Sequence, residues 1–464
     1  MSGCRTVRSL VFALCLLMLF TFRASTSTGT AEGWIDAYRE PAGQLIKESL
    51  ATKFAWNRLA ELTDTFGNRL SGSESLRKAI GWAVDELKKD GFSNVRTQKV
   101  MVPVWVRGQE SLELVQPVSQ KLVMLGLGGS VATPNEGLEG EVFVVKSFAD
   151  LEANAQKAKG RIVLYNVPYS NYGETVVYRS TGAWIAARYG AIATLLRSVG
   201  PIGLRTPHTG GMRYGEDAPE IPSASIPVED AERFQRLQDR GVKIVVRLKM
   251  EAHVAPDSES ANVIAEIPGR EKPQEVVLIG GHFDSWDVGA GASDDGVGCI
   301  VTWEAARLIK KLPLAPRRTI RIVLWTNEEN GLRGGNAYRD SFMQEAKDHV
   351  FALESDSGVF APISLGFTGP DPARRTVNEI ATLLTGLGLD RVGPNGGGAD
   401  IGPIVQAGHV PAMSLNGDPA RYFTIHHTPA DTIDRIAPEE VSKAAAAIAV
   451  MTYVIADMPN RLGQ

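Results

Sequence analysis

The feature that most constrains this chain is the alternation of short apolar strands with helices from Asn262 to the C-terminus. Such alternation is typical of an α/β layer built on a mixed or parallel sheet. The predicted strands are Val276–Ile279, Thr319–Trp325, Val350–Glu354 and Val410–Leu415, and the predicted helices are Gly296–Lys310, Arg375–Leu387 and 438–455. We therefore predict an α/β fold, with a mixed twisted sheet and helices on both faces. In such a sheet, loops at the carboxyl ends of the strands line the ligand crevice.

The chain before this layer has two parts of different composition. Residues 29–110 have a helical pattern from Glu32 to about Leu87 and then a strand-like run, so they are predicted to form the first part of the α/β domain. Residues 111–255 contain short Val- and Leu-rich runs separated by Gly, Pro and Asn, the pattern of a β-rich insert. Its predicted elements are the strands Leu122–Leu125, Glu141–Val145, Arg161–Tyr165, Ala191–Leu196 and Val242–Leu248, and a helical stretch at Trp184–Tyr189. Residues 256–464 complete the α/β domain.

Residues 1–28 have the composition of an export signal. Arg5 and Arg8 precede an apolar run, Leu10–Phe22, which is too short to span a bilayer comfortably, and small residues follow it. We therefore predict a cleaved signal peptide and a secreted or periplasmic protein without stable membrane insertion. An uncleaved anchor and a lipoprotein at Cys15 are the alternatives. Removal of this segment leaves Cys299 as the only cysteine, so no intramolecular disulfide can form.

The charge balance narrows the class of partner. A formal net charge of −4 over 464 residues provides no basic field for phosphates, which argues against a nucleic-acid partner. The sequence also has no G-x-x-x-x-G-K-[ST] string, and its glycine-rich loops stand beside acids that would repel a nucleotide phosphate. Small-molecule or peptide chemistry is the remaining expectation.

The ends of the predicted strands carry acids and histidines. Strand Val276–Ile279 leads into His282 and Asp284, where the histidine can bind a metal and the carboxylate can accept the other ring proton. The glycine-rich turn that follows ends in Asp294 and Asp295 at the start of a helix. An aspartate there is commonly a helix N-cap. We expect Asp295 to have that role, while Asp294 faces the crevice and bridges two cations.

Two further strands end in acidic residues. Glu328 and Glu329 are adjacent after strand Thr319–Trp325, so their side chains point in different directions. Glu329 can bind metal while Glu328 reaches a metal-bound water as the general base. A solvated acidic loop is the alternative for such a pair. After the next strand either Glu354 or Asp356 can reach the crevice, and Asp356, nearer the strand end, is the better candidate.

Paired histidines, His426 and His427, complete the set in a Pro-containing loop of a chain that has only seven histidines. The sequence thus predicts two imidazoles and three carboxylates at one edge of one sheet. Mixed histidine and carboxylate ligands without a thiolate suit Zn²⁺. Two Zn²⁺ ions that share a carboxylate form a hydrolytic site, in which one ion polarises the carbonyl oxygen and the pair lowers the pKa of a bridging water.

These motifs resemble the zinc exopeptidases related to the bacterial leucyl aminopeptidases. Three strings, His282–Gly289, Leu324–Thr326 and Pro207–Gly210, are similar to those of the carboxypeptidase Q-like subgroup. The resemblance covers nearly all of the chain after the signal peptide. It implies a secreted di-zinc exopeptidase, and it makes residues 111–255 similar to the protease-associated domain of these enzymes.

The resemblance also implies a ligand set, in which His282 and Asp356 hold one zinc, Glu329 and His427 hold the other, Asp294 bridges both and Glu328 is the base. His427 is selected over His426 because the family's ligand directly precedes Thr or Ser. In this family the peptide link after the bridging aspartate is often cis, which here would be the Asp294–Asp295 link.

The substrates that the resemblance implies are dipeptides or the N-terminal residues of short peptides. His208, Asp400 and His426 are the candidate substrate-binding residues. The family commonly has Ser or Thr where Ala399 stands, so one polar contact is expected to be missing. Homodimer formation is implied in the same way.

Two alternatives share this scaffold. A glutaminyl cyclase-like acyltransferase resembles these peptidases but uses one zinc, so metal counting separates it from them. A catalytically silent binding protein, of the kind found among transferrin receptor-like relatives, loses metal ligands. Every expected ligand position of this chain holds a competent residue, which argues against both alternatives.

Overall fold

A computed structural model describes residues 33–464. The predicted signal peptide lies outside the described residues. Within the described part, no helix is both long and apolar enough to cross a membrane. Three helices open this part of the chain, as the helical pattern predicts: Arg39–Leu50, Phe54–Phe66 and Glu74–Lys89.

The first sheet has eight strands and mixes parallel with antiparallel pairs. Their spatial order is Ser93–Val106, His253–Ile267, Arg318–Trp325, Lys272–His282, His349–Ser355, Ala412–Asn416, Ser364–Thr368 and Val392–Gly393. Strand Lys272–His282 pairs in parallel with both of its neighbours, and its register places Gly280 opposite Val323 on one side and Glu354 on the other. The carboxyl ends of these three strands therefore lie level at one edge of the sheet.

Helices cover both faces of this sheet. Successive residues of a strand point to opposite sides, so each central strand contributes side chains to two cores. Val277 and Ile279 belong to the core that also contains helix Pro438–Asp457. Leu278, between them, belongs to the opposite core with helix Arg333–Ser341. The other helices in this part of the chain are Val297–Lys311, Asp371–Ala381, Gly402–Gly408 and Pro419–Ile425. The predicted mixed α/β architecture is confirmed.

The second sheet is formed by residues 110–250. Its eight strands lie in the order Gln120–Leu122, Glu110–Gln116, Val245–Met250, Leu138–Val145, Ile162–Tyr165, Ala193–Arg197, Ser223–Ile226 and Leu125–Gly126. The chain leaves the first sheet at Val106 and returns to it at His253, where these two residues pair. Apolar side chains of strand Ile162–Tyr165 alternate between two cores, with Leu164 on one side and Val163 on the other.

This second part contains more helix than the sequence predicts. The helical stretch expected at Trp184–Tyr189 is the end of a longer helix, Tyr172–Arg188, and a further helix, Val228–Asp239, was not predicted. The first turns of the longer helix contain β-branched residues, which lower helix propensity and hid it from a pattern search. Asn171 nevertheless starts the helix, because its side chain accepts a hydrogen bond from the backbone N–H of Glu174 at 3.0 Å.

Two contacts hold the second sheet against the carboxyl ends of the first. Arg107 donates from Nε and Nη2 to the Asp287 carboxylate at 2.7 and 2.6 Å. The indole of Trp286 lies directly on Gly128, where an added Cβ would be 2.0 Å from the ring. Gly128 is therefore required for this close approach.

Candidate metal centre

The level strand ends bring the five predicted ligands into one buried cluster. His282, at the end of its strand, has its Nε2 3.2 Å from Asp294 Oδ1 and 3.4 Å from Asp356 Oδ1. We call His282 and Asp356 the first half-site. His427 Nε2 lies 3.1 Å from Asp294 Oδ2 and 3.0 Å from Glu329 Oε2, and we call His427 and Glu329 the second half-site. Asp294 thus presents one carboxylate oxygen to each half-site.

The chemistry of these side chains fits divalent cations. Asp294 Oδ2 and Glu329 Oε1 are buried carboxylate oxygens that accept no hydrogen bond, although His427 is close to both residues. Ligand atoms of His282, Asp294 and Glu329 lie within 4.8 Å of one another, as do those of Asp294, His426 and His427. Buried carboxylate oxygens that lack a donor, in a cluster of histidines and acids, form an arrangement that a bound cation would complete.

The pKa shifts of the cluster also favour bound cations. Although burial opposes it, Asp356 and Asp294 raise the pKa of His282 well above its usual value, and Glu329 and Asp294 raise the pKa of His427 to about 9. Burial, together with Asp294, raises the pKa of Glu329 to about 7. The cluster therefore holds more negative charge than its own groups compensate, which is the condition that metal ions satisfy.

Asp294 owes its position to hydrogen bonds on both sides of the loop. The backbone N–H groups of Ser293 and Asp294 donate to the Asp431 carboxylate at 2.7 and 3.1 Å. Asp295 accepts from the backbone N–H of Gly298 at 3.1 Å and from that of His282 at 3.0 Å, so it caps the helix as expected and also ties it to the strand end. The Asp294–Asp295 peptide is cis, as the resemblance implies.

Arg69, which was not predicted as a site residue, binds the main chain of the glycine-rich loop. Its guanidinium is fully buried and donates to four main-chain oxygens, those of Gly67, Phe283, Ala290 and Gly291, at 2.8 to 2.9 Å. The segment between His282 and Asp294 is thereby fixed at two points. No local sequence signal marks this arginine, since three of its four partners are main-chain atoms more than 200 residues away.

Asp284 has a different contact from the one predicted. Nδ1 of His282 lies 3.0 Å from the main-chain oxygen of Asp284, whereas the carboxylate Oδ1 is 4.0 Å away. The carboxylate instead accepts hydrogen bonds from the backbone N–H groups of Glu328 and Glu329, at 3.1 and 3.3 Å, and from Ser71 at 3.1 Å. Asp284 therefore orients the histidine through its backbone and positions the glutamate pair through its side chain.

Glu328 lies beside the cluster without a hydrogen-bonded cation. Burial raises the pKa of its carboxyl well above the usual range, and the charges of Asp356 and Glu329 act in the same direction. Glu354, the alternative to Asp356, points away and accepts hydrogen bonds from the backbone N–H groups of Asp400 and Ile401, at 3.3 and 2.8 Å. The structure therefore brings Asp356, and not Glu354, to His282.

Two cavities meet at the glutamate pair. The histidine cavity, about 330 Å³, is lined by Tyr172, Arg179, Asp294, Glu328, Glu329, Asp356, Ser357, Tyr422, Phe423, His426 and His427. The tryptophan cavity, about 520 Å³, also reaches Glu328 and Glu329, and its walls include Val104, Trp105 and Met212. Three of these lining residues belong to residues 110–250, namely Tyr172, Arg179 and Met212, whereas Trp105 is in strand Ser93–Val106 of the first sheet. Both parts of the chain therefore contribute walls.

The three candidate substrate-binding residues have different places. His426 lines the histidine cavity and stacks on His427, with ring centroids 3.5 Å apart. His208 and Asp400 are buried and line neither cavity, and their assignment as substrate-binding residues stays a prediction. Burial lowers the pKa of His208 to about 3 and raises the pKa of Asp400 well above its usual value.

Comparison with known proteins identifies the family. Residues 262–452, which contain all five predicted ligands, match the model of peptidase family M28. Carboxypeptidase Q of Xenopus laevis is 45% identical over 431 residues, covering 92% of this chain and 92% of the relative. The chain belongs to peptidase family M28.

Solved structures agree with this assignment. The crystal structure of a peptidase M28 precursor from Shewanella amazonensis is 37% identical to this M28 member, covers 92% of it and 98% of the other chain, and superposes with a TM-score of 0.88. BSAP, a zinc aminopeptidase from Bacillus subtilis, has the same fold, with a TM-score of 0.67, 22% identity, and coverage of 89% and 97%. The M28 aminopeptidase-like fold therefore extends over both sheets.

Proposed function

We propose that this M28 peptidase is an exported di-zinc exopeptidase that hydrolyses dipeptides or removes N-terminal residues from short peptides. The observation that carries the proposal is the carboxylate of Asp294, which has His282 3.2 Å from one oxygen and His427 3.1 Å from the other. A carboxylate with one imidazole on each oxygen is suited to bridge two ions.

His282 and Asp356 would hold one ion, Glu329 and His427 the other, with Asp294 between them. Histidine and carboxylate ligands without a thiolate favour zinc, and the similarity to a zinc aminopeptidase fold is consistent with that choice. When bound, two such ions polarise the scissile carbonyl and lower the pKa of water at the site.

Glu328 is proposed as the general base. The attacking water forms a C–O bond at the scissile carbonyl carbon and gives a proton to the Glu328 carboxylate. Glu328 then passes that proton to the leaving amine as the C–N bond breaks. The hydrogen bond from the backbone N–H of Glu328 to Asp284 holds the residue at the point where the two cavities meet.

The size of the site supports small substrates. The histidine cavity, at about 330 Å³, is at the lower end of ligand pockets and has room for one or two residues.

We also propose that residues 111–255 are a protease-associated-like domain inserted between two parts of the catalytic domain, residues 29–110 and 256–464. Export follows from the predicted signal peptide, and sedimentation of the purified chain would test the implied homodimer.

The test combines metal counting with hydrolysis. Glu328→Gln should retain two metal ions per chain, measured by mass spectrometry, and lose roughly 10²- to 10⁴-fold in kcat on a free dipeptide. The exposed Glu259→Gln is the control and should match the unchanged protein. Activity within a few-fold in Glu328→Gln would remove Glu328 from the role of base. One ion per chain with cyclisation of N-terminal glutamine would favour the cyclase alternative, and no ion with no turnover the binding protein.

A further inference from the structure

A groove on the second sheet carries more positive than negative charge. Two adjoining cavities, of about 360 and 380 Å³, share Phe143, Lys157 and Gln238, and we call their combined lining the basic groove. Its ionisable residues are four cations and two acids: Lys146, Lys157, Arg161, Lys243, Glu141 and Asp150. The formal charge of the basic groove is therefore +2, whereas the whole chain has −4. Its residues are different from those that line the two cavities at the metal centre.

Three of the four cations are free of acidic partners. Arg161 Nη2 lies 3.2 Å from Glu141 Oε1, so these two charges compensate each other. The oxygens of the second acid, Asp150, accept a backbone N–H at 2.9 Å and a side-chain amide at 3.1 Å. Among residues 33–464, no carboxylate oxygen lies within 4.0 Å of the other ammonium groups, which are those of Lys146, Lys157 and Lys243. These three charges are available to an anionic ligand.

A buried amide oxygen in the basic groove lacks a donor. Gln235 lines the groove and is 8% exposed. Its Nε2 donates to Asp239 at 2.8 Å, whereas its buried Oε1 accepts no hydrogen bond from the described part of the chain. Exchange of the two amide atoms would place the oxygen against the Asp239 carboxylate, so this orientation is the favourable one. A buried acceptor of this kind is costly unless a ligand supplies an N–H or O–H.

The basic groove lies along an edge of strand Leu138–Val145. Strand Val245–Met250 pairs with this strand as far as Glu141. Further along, the Gln238 side chain takes the place of a neighbouring strand, since it accepts from the N–H of Val144 at 2.7 Å and donates to the main-chain oxygen of Val144 at 2.9 Å. Residues 141–146 span roughly 17 Å at about 3.3 Å per residue, the length of about five residues of an extended peptide.

The chemistry of the basic groove indicates the kind of ligand. Unpaired lysines attract carboxylates, phosphates and sulfates alike, but Gln235 Oε1 requires a donor. Ionised phosphate or sulfate chains offer acceptors only, whereas a peptide has a backbone N–H at almost every residue. The groove also presents apolar side chains, those of Val142, Phe143 and Ile244, which suit the side chains of a peptide.

We propose that the basic groove binds an extended, acidic segment of a partner protein. Carboxylates of the segment pair with the three lysines, and one of its backbone N–H groups donates to Gln235. Charge complementarity of this kind selects the partner and speeds its association. The inference concerns a site separate from the metal centre, so it does not depend on the proposed exopeptidase function.

The experiment measures fluorescence anisotropy of a labelled heptapeptide with alternating glutamate and valine, added to the full chain. Acetylation of the peptide removes the free amine on which the proposed exopeptidase would act, so the probe is not consumed. The unchanged protein should bind this peptide, and more weakly at about 0.3 M salt than at low salt. A peptide with glutamine in place of glutamate should bind at least about tenfold more weakly.

Three variants locate the contact. Lys157→Glu, at a residue shared by both cavities, should weaken binding of the acidic peptide about fivefold or more, because repulsion replaces attraction. Gln235→Leu should weaken it about threefold or more, because a peptide N–H loses its acceptor. Lys249→Glu makes the same charge change on an exposed lysine of the second sheet outside the groove, and it should leave the affinity within about twofold. Unchanged thermal unfolding of each variant shows that it folds.

Other outcomes overturn the inference. Failure of the acidic peptide to bind at about 1 mM, equal binding of the glutamine peptide, or equal losses in Lys157→Glu and Lys249→Glu would reject the groove as its site. Tight binding of inorganic polyphosphate, with unchanged peptide affinity in Gln235→Leu, would replace the peptide by a polyanion. Faster cleavage of an acidic peptide with a free amine, abolished in Lys157→Glu, would replace the partner protein by a substrate.

Discussion

The two half-sites have the same inner contacts but different outer supports. In each, a histidine Nε2 lies within 3.5 Å of one oxygen of Asp294 and of one further carboxylate. The first half-site is supported by its own sheet, since Nδ1 of His282 faces the main-chain oxygen of Asp284 at 3.0 Å. The second is supported by a loop between two strands of the second sheet, since Nδ1 of His427 faces the main-chain oxygen of Thr209 at 3.3 Å.

The difference extends to the backbone. The N–H of Thr209 donates to the main-chain oxygen of His427 at 3.0 Å, so residue 427 is attached to this loop by two contacts. Thr209 itself is tied down, because its hydroxyl donates to Gly126 at 2.8 Å and accepts from Arg107 at 3.2 Å. The histidine of the first half-site is therefore held within the α/β layer, while the histidine of the second half-site also contacts residues 110–250.

The largest expected effect is at the residue that both half-sites share. Asp294→Ala should lower the metal content of both positions and reduce activity at least about 100-fold, because each half-site loses a ligand. Mass spectrometry after dialysis against a chelator measures the metal. The exposed Asp257→Ala is the control. Retention of one tightly bound ion would mean that the half-sites do not share Asp294 equally.

A stability experiment addresses the support of the first half-site. Arg69→Met should lower the free energy of unfolding by about 3 kcal/mol, because four main-chain oxygens lose a charged donor in a buried place. Urea unfolding measures it. Arg77→Met, an exposed arginine paired with Glu74, should change the same quantity by less than about 0.5 kcal/mol. Equal unfolding midpoints for both variants would contradict the role given to Arg69.

Acid should lower the free energy of unfolding because His349 then binds a proton. This histidine is the first residue of the strand that leads to Asp356. Burial lowers the pKa of His349 in the folded protein to about 4, from a usual value of 6.5. The unfolded chain therefore binds the proton first, so this stabilisation is present above about pH 6.5 and is lost as the pH falls towards 4.

Between pH 7 and pH 5 the unchanged protein should lose ~2 kcal/mol more unfolding free energy than His349→Gln, which cannot titrate. Urea unfolding at both pH values, without added metal, measures the difference. Parallel losses in the two proteins would show that His349 does not contribute.

The smallest expected effect is specific to the second half-site. Thr209→Val keeps the size of the side chain but removes the hydroxyl that ties this residue to Gly126 and Arg107. We expect affinity for one of the two ions to fall about tenfold while the other is unchanged, as for other residues that support a ligand from outside. A chelator titration that resolves two binding steps measures this. Weakening of both steps would remove the distinction between the half-sites.

Much of the site could be predicted from the sequence because its ligands follow strand ends. His282 ends its strand, and Glu329 and Asp356 come within four residues after theirs; because these strands pair in parallel, the position of each residue along the chain indicated its position in space. Asp294 and His427 lie in loops between such elements, and the structure places them beside His282, Glu329 and Asp356. The helix-capping role of Asp295 also follows from local pattern alone.

Other residues could not be found in this way. Arg69 acts on main-chain oxygens far along the chain, and Arg179 reaches the site from a helix whose β-branched start disguised it. His208 and Asp400 lie in distinctive local strings, but the strings did not show that tertiary packing buries both side chains outside the two cavities. Polar residues in loops carry no signal of which way the chain will turn them.

The sequence by itself determined the α/β class, the edge at which the chemistry lies and the residue types gathered there. These follow from hydrophobic period and strand order, which are local properties. Only the tertiary structure decided that one histidine is held by its own loop and the other by a loop of the second sheet, and that Arg179 lines the same cavity. Those contacts join residues hundreds of positions apart, and no local pattern encodes which distant surface will meet them.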